Sequence, residues 1–133
     1  MPDALAPDRP GAAGWFGPRP VEPLTACGET VAVVRKKALL RLLARREAAR
    51  LGLRATPEQV RETESQFRLC FGLAAAEDLA GWLAESGLDP AGFAEAMRDF
   101  TLVRLLEESL APEIDRLAAA QVAVGTARLR PGA

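Results

Sequence analysis

The placement of proline and glycine constrains this chain most. Thr56-Pro57-Glu58-Gln59 and Asp89-Pro90 each set a capping side chain directly before a proline. A cap followed by proline opens a helix, because proline has its φ already set and lacks only an N–H that the first turn leaves unpaired anyway. Gln59 completes a capping box with Thr56, and Glu58 places an acid where the helix dipole favours it. Gly52, Gly72 and Gly87 follow apolar-periodic stretches at the position where a left-handed residue ends a helix. Pro112 cannot continue the helix before it without a break. This punctuation predicts helices over Val31–Leu51, from Thr56 to Gly72, Ala74–Ser86, from Asp89 to Leu110, and Pro112–Val124. No stretch alternates apolar and polar residues between turn signals; VAVV at 31–34 is the one strand candidate, and it runs straight into helix-forming sequence. The expected fold class is all-α, an orthogonal or bundle-like domain of four to five helices over residues 29–124.

Residues 1–28 differ. Six prolines and three glycines between Pro2 and Pro23 oppose any regular element, so this region reads as an extended arm. Trp15 and Phe16 lie in its middle, and such a pair is expected to dock, on this chain's own core or on a partner. Residues 125–133 read as a flexible tail.

Net charge is −1, unevenly placed. Residues 30–54 carry eight basic side chains against the single acid Glu47, a net +7, leaving −8 elsewhere. In the first helix Leu39, Leu40, Leu43, Ala44 and Leu51 share one face, and Val31, Ala38, Leu42 and Ala49 another. Lys37, Arg41 and Arg45 fall between them as a stripe expected to be solvated. Two apolar faces predict that this helix is sandwiched or meets another chain, so a homodimer or a hetero-complex is expected. Elsewhere Val60, Thr63, Phe67 and Cys70 form one inward register, Leu79, Trp82 and Leu83 a second, and Phe93, Met97, Phe100, Val103, Leu106 and Leu110 a third.

Histidine is absent, which removes Ser-His-Asp and Cys-His catalysis and His-containing metal sites together. Two cysteines cannot build a four-thiolate site. Cys27 precedes a helix start in a basic region, a setting that favours thiolate, while Cys70 reads as a buried small hydrophobe. The acids Glu58, Glu62, Glu64, Glu77, Asp78, Glu107 and Glu108 fall on polar faces or in first turns, the pattern of solvation rather than of a catalytic pair. No phosphate-binding glycine loop occurs. No catalytic residue, metal or cofactor is expected. Without an apolar run of about 18 residues or a secretory leader, the chain reads as cytoplasmic with no membrane partner.

The runs ALLRLLARREAARLGLRATPEQVRETESQFR (38–68) and GLAAAEDLAGWLAESGLDPAGFAEAMRDFTLVRLLEE (72–108) set a leucine-rich helix, a threonine-capped acidic helix, a short helix ending in ESGL and an Asp-Pro-capped long helix in order. This order resembles the N-terminal helical module of SurA-type and PrsA-type peptidyl-prolyl isomerase chaperones, which is similar in turn to the C-terminal arms of trigger factor. The resemblance spans residues 31–108 and rests on helix-cap phrases. It implies a module that holds extended or unfolded peptide without ATP. The parvulin domain is not in this sequence, and the Val-Asn-Gly lead-in is only faintly echoed by Cys27-Gly28-Glu29, so isomerase activity does not carry over.

The functional expectation is therefore a peptide-binding, chaperone-like module, acting alone or beside a peptide-modifying enzyme on an unfolded or leader-like peptide. Phe71, Trp82, Phe93 and Met97 are expected to line an apolar groove, with Lys37, Arg41 and Arg45 steering acidic segments. The alternatives are a nucleic-acid-binding protein using the basic first helix, and a small enzyme whose motif is not visible. A near-neutral chain exerts little long-range pull on phosphate, which places nucleic acid behind peptide.

Overall fold

A computed structural model describes residues 22–132. Five helices follow one another: α1 (Val31–Leu51), α2 (Pro57–Cys70), α3 (Ala76–Ser86), α4 (Pro90–Ser109) and α5 (Ala111–Gly125), and a 3-10 turn covers Thr126–Leu129. Among the described residues there is no strand, only an isolated antiparallel bridge between Leu24 and Thr30. The fold is all-α. The Trp15–Phe16 pair lies outside the described residues. The tail is shorter than expected, because α5 and the 3-10 turn carry regular structure to Leu129.

The caps act as their residue types require. Thr56 accepts from the Gln59 N–H at 3.2 Å while the Gln59 side chain accepts from the Thr56 N–H at 2.9 Å. Asp89 accepts from the Gly92 N–H at 2.6 Å. At the end of α1, Gly52 has φ +71°, and the Leu53 N–H reaches back to the Ala48 carbonyl at 2.8 Å. That bond closes the helix only if the intervening residue is left-handed, the conformation glycine adopts without a Cβ clash.

The chain divides into two compact units between Leu40 and Arg41, within α1. In the first unit Thr25 donates to the Glu29 carbonyl at 2.6 Å, Thr30 caps α1 by accepting from the Val33 N–H, and Lys37 is paired with Glu29.

The second unit is built around α4, which carries two buried faces. Phe93 and Met97 face one way, surrounded by Val60 and Phe67 of α2 and by Leu79, Trp82 and Leu83 of α3. Leu106 faces the other, against Ala44 and Ala48 of α1, with Leu53, Leu102, Val103 and Leu110 around them. The sandwiched helix is thus α4, not the first helix as its two apolar faces suggested. α1 presents its alanines and arginines to α4, and Leu42 and Leu43 point outward. The arginine stems lie alongside, and their heads reach a buried acid.

A polar bond ties α2 to α4. Thr101, fully buried, donates to the Met97 carbonyl at 2.8 Å and meets the Thr63 hydroxyl at 2.7 Å. Thr63 in turn reaches the Gln59 carbonyl at 3.1 Å. Each hydroxyl has one proton, so one threonine donates across the helices while the other donates to its own helix.

Candidate functional site

The aromatic residues of the second unit form a row from core to surface. Phe93 is 5% exposed, and its ring lies 5.8 Å from those of Trp82 and Phe67. Trp82 and Phe67 are 5.7 Å apart and half-buried. Phe71 continues the row, 4.9 Å from Phe67, and is 64% exposed. The tilted and edge-on geometries suit the ring quadrupoles. The row ends outward because Phe71 stands one residue past α2, where the helix stops and Gly72 turns the chain with φ +69°.

Four groove residues expected from the sequence are therefore neighbours with unequal access. Phe71 is open and Trp82 is half-buried. Phe93 and Met97, the latter 1% exposed, are core residues and cannot touch a ligand at the surface. The reason is α4's central position, which buries its whole Phe93–Met97–Thr101 face.

At the same α2–α3 turn, on the other face of α2, lies a shallow cleft of about 330 Å³ lined by Arg61, Glu64, Ser65, Arg68, Leu69 and Ala74. Leu69 is 77% exposed. Arg68 shapes the cleft floor: it donates to the Leu73 carbonyl at 2.8 Å and the Ala74 carbonyl at 2.7 Å, and pairs with Glu64 at 3.4 Å. One guanidinium fork thus fixes the α2–α3 turn. The sequence reading missed Arg61, Arg68 and Leu69. Their spacing was the available signal, since positions 61, 65, 68 and 69 share the face of α2 opposite Val60, Thr63 and Phe67.

The basic stripe stays partly in solvent, as its position between the apolar faces suggested, but each of its cations is paired with an acid of this chain. Arg45 grips Asp99 with two bonds, Nε to Oδ1 at 2.8 Å and Nη2 to Oδ2 at 2.6 Å. Arg41 Nε adds a third to Oδ2 at 2.8 Å. Arg45 also reaches Glu95 at 3.5 Å, and the Arg41 guanidinium sits 6.0 Å over the Phe100 ring. Asp99 is 2% exposed. Burial pushes its carboxyl pKa up, but the hydrogen bonds and charges of Arg45 and Arg41 outweigh burial and hold it below its usual value. The bond from Asp99 raises Arg45 in return. With Lys37 held by Glu29, all three expected steering cations have acids of this chain as partners.

Cys70 is exposed, contrary to its expected burial, and both cysteines are free. Cys27 lies 3.1 Å from the Thr25 hydroxyl and donates to Glu29 at 3.7 Å, so a carboxylate is its neighbour. Among the described residues no group of three or more potential ligands could hold a metal ion, and no helix is long and apolar enough to cross a membrane.

Comparison with known families, with curated proteins and with solved structures gave no match for this chain.

Proposed function

We propose that this chain is a peptide-binding helical module, which receives an extended or unfolded segment at the α2–α3 turn. The observation that carries the reading is the aromatic row ending in exposed Phe71 at the α2–α3 turn, where exposed Leu69 and a cleft occupy the other face of α2. An open phenylalanine backed by three further rings is a rigid apolar anchor, the kind of residue that dominates binding energy in recognition surfaces. Arg61 and Ser65 at the cleft supply polar contacts for the backbone or acidic side chains of a peptide. The SurA-like order of helices agrees with a holding role. A leader-like peptide presented to a modifying enzyme is the finer form of the same reading. Nucleic acid loses ground, because the basic segment spends Lys37, Arg41 and Arg45 on internal acids.

Fluorescence anisotropy tests this with a fluorescein-labelled extended peptide rich in leucine and phenylalanine and flanked by acids. Phe71→Ala and Leu69→Ala remove exposed side chains, so the fold is expected to persist. Each is expected to weaken binding by about 5- to 30-fold, the loss typical of an anchoring side chain. Absence of binding to any such peptide, with tight salt-sensitive binding to a DNA duplex, would replace this reading with the nucleic-acid one.

A further inference from the structure

We infer that α1 and α5 form a self-complementary seam, so that two copies of this chain associate about a twofold axis, α1 of each lying antiparallel to α5 of the other. The inference is independent of peptide binding at the α2–α3 turn.

α5 has no buried residue along its whole length. A helix of this size is marginal in water unless a face of it is covered. Its exposed face runs Glu113, Leu117, Ala120, Val124, a four-three-four spacing like the seam of a paired helix, with Leu117 71% and Val124 64% exposed. On α1, Leu42, Leu43, Arg46 and Arg50 share the face turned away from α4, where Ala44 and Ala48 are buried. Two uncovered faces on one chain are satisfied together by a twofold operation, in which each copy gives one face and receives the other.

Charge selects the second copy as the occupant and fixes the direction. Glu107, Glu108, Glu113 and Asp115 lie where α4 meets α5, and no ion pair among the described residues engages them. Among the described residues Arg46 and Arg54 likewise make no ion pair. An antiparallel seam that sets Leu43 against Leu117 brings Arg46 to Glu113, so each copy's spare bases meet the other's spare acids. Leu42, Leu43, Leu117 and Val124 are the exposed apolar side chains of the two faces, the kind of patch that marks an interaction site.

Sedimentation equilibrium of the full chain, from micromolar to millimolar, tests this. The expected mass is twice 14.2 kDa. Leu43→Asp and Leu117→Asp are each expected to raise the dimer dissociation constant by more than about 30-fold. Arg46→Glu and Glu113→Arg alter exposed positions and leave the fold intact. Each alone is expected to weaken the dimer about tenfold, and the two together to restore it. A one-chain mass throughout would give these faces to residues 1–21 or to a different protein and overturn the inference. A dimer indifferent to both leucine replacements, or no recovery in the charge-exchanged pair, would overturn it equally.

Discussion

Asp99 is the residue on which the second unit turns. A carboxylate removed from water is costly unless its lone pairs are filled, and here two arginines supply three donors. Because the arginine heads stay partly in solvent, the cluster is worth less than a fully buried triad. Asp99→Asn, which keeps the shape but loses the charge, is expected to cost about 2 kcal/mol at neutral pH, measured by urea denaturation. The pH dependence has a fixed sign. The folded-state pKa of Asp99 lies below its reference of 3.8, so the stabilisation is complete above that reference and is lost as pH falls through the folded value. The Tm gap between the wild type and Asp99→Asn should therefore close as pH is lowered from neutral into the acid range; a gap that stays constant would show that charge is not what Asp99 contributes. The sequence held half of this. The concentration of positive charge in residues 30–54 was legible, but the acid's position was hidden, since Asp99 sits two residues from Met97 in a stretch marked by its apolar stripe. A charge in such a stretch was the available sign of a buried pair.

At the scale of elements, what was legible was local. The Thr56-Pro57 and Asp89-Pro90 starts and the glycine stops appear where the residue types place them, because a cap is a bargain between neighbours in sequence. Thr56→Ala removes one side of the capping box, and a loss of about 1 kcal/mol is expected from thermal or chemical unfolding, with α2 fraying first in amide exchange. An unchanged stability would mean that tertiary packing alone holds the helix end. The orientation of α1 was not legible. Periodicity grouped Ala44 with Leu39, Leu40, Leu43 and Leu51 and offered a second apolar face, whereas the packed face holds Ala44 and Ala48 with Arg41 and Arg45 beside them. Periodicity reports that a helix has an apolar face; it does not report whether this chain or another one covers it. α4 shows the reverse case, since Asp99 made its second buried side look polar.

For the whole molecule, the aromatic rings lie together, and their division between core and surface was not legible. Phe93 and Met97 became core because α4 is covered on both sides. Phe71 became surface because α2 stops one residue before it, a fact of chain geometry that composition does not carry. The cleft residues Arg61, Arg68 and Leu69 were passed over because a polar helix face reads as solvated until a neighbouring turn, here the one held by Arg68, makes it concave. The central claim is that an extended peptide is held at this turn, and backbone amide NMR on the full chain tests it most directly. Titration with the leucine- and phenylalanine-rich peptide is expected to shift the amides of residues 61–74 and the Trp82 indole, with Phe71→Ala suppressing those shifts. Shifts confined to α1 and α5, or none with any peptide, would contradict the claim.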